Sequence, residues 1–237
     1  MIPKILHQCK ASPYKYFTWE ERRLARRARA LMPDWMYHRW TDEDNLALIE
    51  RMFPNYAKEY SEMSNGALKT DIARYLYIYA YGGIYFDTDF LFFQPVNEDL
   101  LSNFCILGVE AEDMPELGGG PKLGNAFIGS QPGLALWTEL VDSIFRRFRK
   151  DEAYPYAWQL SGPYALTAFL RNHIQYGAIV TILPRNLLYP KLTNFNLTGA
   201  REPGTIGVHL CWSSWRDMSL PHRVKNRARR ILSAALA

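Results

Sequence analysis

Asp87 and Asp89 stand one residue apart at the end of a short apolar run, within Gly82-Gly-Ile-Tyr-Phe-Asp-Thr-Asp89. Along an extended strand, residues i and i+2 point the same way, so the two acids aim at one spot. Paired carboxylates repel each other unless a proton or a cation lies between them. These two interrupt an otherwise apolar stretch, with Ile84-Tyr-Phe86 before them and Phe90-Leu-Phe-Phe93 after. Carboxylates buried without a partner are costly, so something should compensate them. A hard divalent ion such as Mg²⁺ or Mn²⁺ suits such oxygen ligands and commonly shares them with phosphate oxygens. The bland alternative is an aspartate-rich turn. Asp-x-Asp alone is a common pattern; its apolar setting gives it weight.

Two further clusters carry usable chemistry. Asp71 and Arg74 sit three residues apart in a segment whose neighbours Leu68, Ile72, Ala73, Leu76 and Ile78 are apolar. On a helix surface they would form an ordinary ion pair worth about 0.2–0.5 kcal/mol. Lining a pocket, the acid would accept from sugar hydroxyls and the guanidinium would donate to sugar or phosphate oxygens. The second cluster is His209-Leu-Cys-Trp-Ser-Ser-Trp215. It offers an imidazole and hydroxyls for a metal and an indole N–H for a phosphate, or simply a core histidine with two core tryptophans. Asn125 reads either as an amide for a sugar hydroxyl or as a turn residue. Taken together, the acid pair and its companions point to the metal–diphosphate corner of a nucleotide-sugar enzyme.

The elements that must position these groups alternate in type. The expected strands are Ile2–His7, Trp35–Trp40, Ile84–Phe86, Phe90–Phe93, Phe104–Val109, Asn125–Gly129, Ala178–Leu183 and Thr205–His209. Thr18-Trp-Glu-Glu21 has capping-box spacing and opens a basic helix to Leu31, and Thr41-Asp-Glu-Asp44 opens another to Met52. A long aromatic helix runs from Gly66 to the Gly82-Gly83 pair, where glycine stops it. Helices are also expected from Pro132 to Lys150 and from Ser161-Gly-Pro163 onward. Glu110–Gly124, acidic and glycine-rich, reads as a mobile loop over the site. Alternating strands and helices favour one α/β domain with a mixed sheet.

Composition excludes some classes. With 237 residues, 48% hydrophobic and 22% charged, the chain can bury a core. Its 15 Tyr, 12 Phe and 7 Trp suit sugar rings and core packing equally. Cys9, Cys105 and Cys211 lie far apart without paired spacing, which argues against a disulfide framework or zinc site and for a reducing compartment. Neither a signal-like leader nor a run of about 18 apolar residues is seen, so the expected location is cytoplasmic, peripheral on the inner membrane face. Arg22, Arg23, Arg26, Arg27 and Arg29, and Arg223, Lys225, Arg227, Arg229 and Arg230 near the C-terminus, form two basic helices. Each offers a surface to anionic lipid or is simply solvated. The basic residues stand away from the aromatic middle, against a nucleic-acid partner.

These pieces resemble the DXD-containing sugar transferases of glycosyltransferase family 32, relatives of the catalytic domains of clostridial glucosylating toxins. The resemblance rests on Ile2-Pro-Lys-Ile-Leu-His-Gln8, on Ala67 with Asp71-Ile-Ala-Arg-Tyr75, and on Tyr81 through Asp89. It continues in Asn125-Ala-Phe127, Ser161-Gly-Pro163 and His209 with Ser214-Trp215, while Cys9-Lys10 replaces the tryptophan that often follows His-Gln. It implies a GT-A type α/β domain, a Rossmann-like mixed sheet flanked by helices over residues 1–220, with 221–237 a basic helix. It implies Mn²⁺, or Mg²⁺, as cofactor and a nucleoside-diphosphate sugar, UDP-linked for preference, as donor. The hexose would go with retention to a glycan or lipid-linked hydroxyl, as in bacterial polysaccharide or lipopolysaccharide synthesis. Carried over by position, His7 and Gln8 face the nucleoside, Tyr85 lies beside it, and Asp71, Arg74 and Asn125 hold the donor sugar. Asp87 contacts donor and metal, Asp89 binds the metal, His209, Ser213 or Ser214 complete its shell, and Trp215 meets the leaving phosphate. A carbohydrate- or nucleotide-binding module without turnover is the alternative; an Asp-x-Asp phosphatase ranks below it.

Overall fold

The computed structural model describes residues 1–10, 16–149, 157–191 and 202–212. Chain order begins with β1 (Ile5–Cys9) and α1 (Trp19–Leu31). Thr18 caps α1 by accepting from the Glu21 N–H, while the Glu21 carboxylate accepts from the Thr18 N–H. Next come β2 (Met36–Trp40) and α2 (Asp42–Met52), capped in the same way by Thr41 and Asp44. After α3 (Ala57–Glu62), α4 (Gly66–Tyr81) starts on Asn65, whose side chain accepts from the Ala67 and Leu68 N–H groups. It stops at Gly82, where φ is +64° and a Cβ would meet Pro132 Cδ at 2.7 Å. The chain then forms β3 (Gly83–Phe86), β4 (Phe90–Phe92), β5 (Cys105–Ala111) and β6 (Lys122–Ser130). Last come α5 (Ala135–Arg149), α6 (Ala157–Leu160), α7 (Pro163–Asn172), β7 (Val180–Leu183), α8 (Arg185–Leu188) and β8 (Gly207–His209).

Six strands make one mixed sheet in the order β2-β1-β3-β6-β5-β7. β1 is parallel to both β2 and β3, so the chain leaves β1 to one side and returns on the other. Open α/β sheets bind ligands at such a switch, in the crevice beyond the carboxyl ends of the strands. Gln8 and Asp87 lie at that edge. β6 runs antiparallel to β3 and β5, and β7 parallel to β5.

Each face of the sheet carries its own core. Ile72, Tyr75, Leu76 and Ile78 of α4 pack with Trp137, Leu140, Val141 and Ile144 of α5 on one face. Leu6, Ala28, Ile84, Phe86, Phe127 and Leu188 fill the other. Because α4 lies between the sheet and its neighbours, it is buried almost all round, and that burial reaches Asp71 and Arg74.

Three expectations are corrected. The first strand runs Ile5–Cys9 rather than Ile2–His7, because Ile2 pairs outside it with Leu101 while Gln8 and Cys9 continue the ladder to Arg39 and Trp40. Glu110–Gly124 is a loop over its middle only, and that loop is tied down rather than free. β5 reaches Ala111, β6 starts at Lys122, and Arg171 donates to the Leu117 and Pro121 carbonyls. The acid pair does not lie within one strand: the chain turns at Asp87–Phe90, the Phe90 N–H donating to the Asp87 carbonyl, and β4 pairs with β8 in a separate two-stranded sheet. The tail 221–237 and Ser213, Ser214 and Trp215 lie outside the described residues.

Candidate metal and donor site

The turn after β3 is pinned from three sides. The Asp87 N–H donates to the Ala126 carbonyl of β6, and Gln8 Nε2 donates to the Asp87 carbonyl at 3.3 Å. β8 brings its end alongside, so that the Leu210 N–H donates to the Asp89 carbonyl and the Trp212 N–H to Asp89 Oδ2 at 2.7 Å. His209, the last residue of β8, therefore places Nε2 3.2 Å from Asp89 Oδ1 and 3.7 Å from Asp87 Oδ2.

One ligand atom each from Asp87, Asp89 and His209 lie within 4.8 Å of one another. Two carboxylates and an imidazole form a donor set that Mn²⁺ accepts. The side chains are 23%, 14% and 17% exposed, which leaves an open side for further ligands. Burial alone would push the Asp89 carboxyl up, but His209 and the Trp212 N–H hold it below its ordinary value. Burial would likewise lower the His209 imidazole, yet Asp89 and then Cys211 raise it well above 6.5. Without a cation, a proton on His209 offsets part of the acids' charge. A cation at the same place would displace it. The donor set fits a divalent ion.

Asp87 joins this group to a second, more deeply buried one. Arg74 NH1 lies 3.2 Å from Asp87 Oδ1 and NH2 lies 2.9 Å from Asp71 Oδ1, while NH1 also donates to the Asn125 carbonyl at 2.6 Å. Asp71 Oδ1 accepts in addition from Asn125 Nδ2, and Oδ2 accepts from the Ser161 hydroxyl at 2.7 Å. Burial pushes the Asp71 carboxyl up, opposed in part by Arg74 and Ser161. Burial also works against the charge on Arg74, but Asp87, Tyr85 and Asp71 outweigh it and raise its pKa. This is no exposed ion pair: Arg74 is 5% accessible. With His209 neutral, the linked carboxylates of Asp71, Asp87 and Asp89 number three against the one guanidinium, that of Arg74, which pairs with the first two among the described residues. The surplus equals the charge of one divalent ion.

The structure thus gathers Asp71, Arg74, Asp87, Asp89, Asn125 and His209. His7 and Tyr85 lie buried beneath α4 rather than open to the crevice. His7 is mid-strand on the face covered by α4, its Nε2 against the Gly82 carbonyl and its Nδ1 accepting from Trp40 Nε1. Burial lowers its pKa to about 4, so it is a neutral core group. Tyr85, fully buried, stacks under the Arg74 guanidinium at 4.5 Å and donates to Asp87 Oδ1 at 2.6 Å. Gln8 is also buried; its Oε1 accepts from the Tyr37 hydroxyl, so it orients the turn rather than offering a free amide. Ser161, Tyr75 and Trp212 also belong to the site, although the sequence reading gives none of them a role there. Each lies inside a motif already named: Ser161 before Gly162-Pro163 at a helix start, Tyr75 after Arg74, and Trp212 in the His209–Trp215 cluster.

Residues 18–105 match the family model described as the glycosyltransferase sugar-binding region containing a DXD motif. Inositol phosphoceramide mannosyltransferase 3 of Schizosaccharomyces pombe is 32% identical over 95 residues, 37% of this chain and 24% of that protein. The initiation-specific alpha-1,6-mannosyltransferase of Candida albicans is 31% identical over 125 residues, 45% of this chain and 30% of that protein. The chain thus spans less than a third of either relative's length. Among solved structures, the ligand-free glycosyltransferase domain of the YGT toxin matches with TM-score 0.58 at 9% identity, over 76% of this chain and 80% of its own. The α/β architecture of the GT-A type is the one found.

Proposed function

We propose that this chain, whose residues 18–105 match the glycosyltransferase sugar-binding region containing a DXD motif, moves a hexose from a nucleoside-diphosphate sugar to a hydroxyl of a glycan or lipid-linked acceptor. The observation that carries the reading is the convergence of Asp87, Asp89 and His209 at the carboxyl edge of β1 and β3, with Arg74 on Asp87. Those three residues would hold Mn²⁺ or Mg²⁺, joined by a hydroxyl of Ser213 or Ser214. The ion, when bound, neutralises charge on the departing diphosphate.

The remaining chemistry belongs to the chain. A carboxylate has about four lone-pair sites. Arg74, Asn125 and Ser161 occupy three on Asp71, which leaves room for one sugar hydroxyl. Arg74, fixed by Asp71, Asp87, Asn125 and the Tyr85 ring, supplies a preorganised positive charge beside the leaving group. Trp215 would add its N–H to the phosphate. The anomeric C–O bond to the diphosphate breaks, the acceptor oxygen bonds to that carbon from the same face, and its proton passes to a phosphate oxygen. Retention follows from that geometry.

Both relatives are named as mannosyltransferases, so mannose is the first sugar we propose, ahead of the UDP-linked hexoses. No helix among the described residues is long and apolar enough to cross a membrane. The exposed Arg22, Arg26 and Arg29 of α1 support peripheral contact with an anionic lipid surface. The test screens GDP-mannose and a panel of UDP-sugars for release of nucleoside diphosphate with Mn²⁺, with Mg²⁺ and with EDTA. Release with one donor, lost in EDTA and in Asp89→Ala, is expected. Absence of release together with Mn²⁺-independent donor binding in calorimetry would overturn the reading.

A further inference from the structure

Glu21 is fully buried, and its side chain is more heavily bonded than a helix cap requires. Its Oε2 accepts from the Thr18 N–H at 2.6 Å and from Lys10 Nζ at 2.5 Å. Its Oε1 accepts from the Thr88 hydroxyl at 3.0 Å, across 67 residues of sequence. Thr88 is the residue between Asp87 and Asp89. Lys10 directly follows β1, at the edge where the crevice opens. A capping box needs only one carboxylate oxygen, for the N-cap N–H. Here the second oxygen reaches the acid turn.

We propose that Glu21 is a positioning residue for the metal-binding turn, acting through the Thr88 hydroxyl. The turn's backbone is held at Asp87 by Ala126 and Gln8 and at Asp89 by Leu210. Between these anchors, the Thr88 side chain is the handle that sets how the peptide planes, and so both carboxylates, are rotated. Glu21 is a strong acceptor for that handle because it is charged and desolvated, and Lys10 supplies the neutralising charge with only 12% of its side chain exposed. The N-terminus of α1 adds favourable potential for the same carboxylate. A helix boundary thereby fixes a turn that sequence places far away.

The inference rests on the reading that Asp87 and Asp89 bind a divalent cation, and the experiment separates the two. Mn²⁺ is titrated by loss of the free-ion EPR signal, in the presence of UDP and, separately, of GDP. Thr88→Val keeps the shape and removes the donor; Thr88→Ser restores it. Loss of an outer contact of this kind costs about tenfold or more in metal affinity. We expect Thr88→Val to weaken Mn²⁺ binding about tenfold while its melting temperature falls by only a few degrees, the cost of leaving one buried acceptor unpaired. Thr88→Ser should return to within about threefold of the parent, on the same scale. Glu21→Gln should weaken it by a similar factor, and the double variant little further, because both act through one contact. Parent-like Mn²⁺ binding in Thr88→Val, failure of Thr88→Ser to recover, or full additivity would overturn the inference while leaving the metal site standing. Parent-like Mn²⁺ binding in Asp89→Ala would remove the metal site itself.

Discussion

Replacing Arg74 by Met tests whether the buried charges form one interdependent unit. The guanidinium touches Asp71 at 2.9 Å, Asp87 at 3.2 Å and the Asn125 carbonyl at 2.6 Å, at 5% accessibility. Methionine fills most of the stem volume, so the loss is chiefly electrostatic. Breaking a buried pair by removing one partner costs about 3–5 kcal/mol, because the other charge is left without compensation. Asp71 would keep only Asn125 and Ser161. Against a total stability of about 5–15 kcal/mol, that is a large fraction.

The loss should depend on pH, and its sign follows from Asp71. Its carboxyl is already raised above 3.8 by burial, and removing Arg74 takes away the largest opposing influence. In the variant, the folded state therefore binds a proton that the unfolded state does not, between the ordinary carboxylate value and the raised one. Stability of the variant then grows as pH falls through the raised value and is lost as pH rises above it. Urea unfolding at pH 8 should show the full 3–5 kcal/mol, a midpoint shift of about 1 M or more at a slope of about 3 kcal/mol/M. At pH 5 the deficit should be smaller. Adding Asp71→Asn to Arg74→Met should recover part of the loss at pH 8. A deficit below about 1 kcal/mol, or one equal at both pH values, would refute the argument.

Two further outcomes are expected. A Cβ at Gly124 would lie 2.3 Å from Tyr189 Cζ, and Tyr189 is the buried ring whose hydroxyl accepts from the Phe127 N–H and whose edge meets His209. Gly124→Ala should therefore cost about 1–3 kcal/mol in thermal unfolding and weaken Mn²⁺ binding; an unchanged melting temperature contradicts this. Mn²⁺ binding should strengthen with rising pH, because His209 holds its proton well above pH 6.5 and must release it to ligate. Calorimetry in buffers of different ionisation enthalpy should report about one proton released per ion, and none at any pH would remove His209 from the site.

What could be read from the sequence was whatever is set by near neighbours. Thr18 and Glu21, Thr41 and Asp44, and the stop of α4 at Gly82 are fixed by contacts within a few residues, and the structure places them as the spacing predicts. Asp71 and Arg74 were legible because charges three apart on an apolar helix need partners. For His7 and Tyr85 the expectation comes from the resemblance by position alone. In the fold both rings lie against Tyr77 of α4, a contact between distant elements that no local pattern announces. Glycine punctuates as expected at Gly118-Gly-Gly120, where φ is positive and the chain turns. At Gly108 and Gly124, inside β5 and β6, it instead makes room for Tyr189, far along the chain, and nothing local announces that.

The same distinction explains why the acid pair was found by a reason that the fold does not use. Alternation along one strand was to aim Asp87 and Asp89 together, whereas the chain turns between them and enters a different sheet. They converge because β8 brings the Leu210 and Trp212 N–H groups and the His209 ring onto Asp89, while β6, Gln8 and Arg74 hold Asp87. Electrostatics made the convergence inferable without the geometry. Acids in an apolar setting must meet something positive, and any fold that buries them has to bring it. Here Arg74 and a proton on His209 meet that need in the protein alone. The proton is the replaceable one, since a guanidinium does not give up its charge and an imidazole can. A cation would therefore enter at the His209 end, in exchange for that proton, while Arg74 keeps its contacts with Asp71 and Asp87.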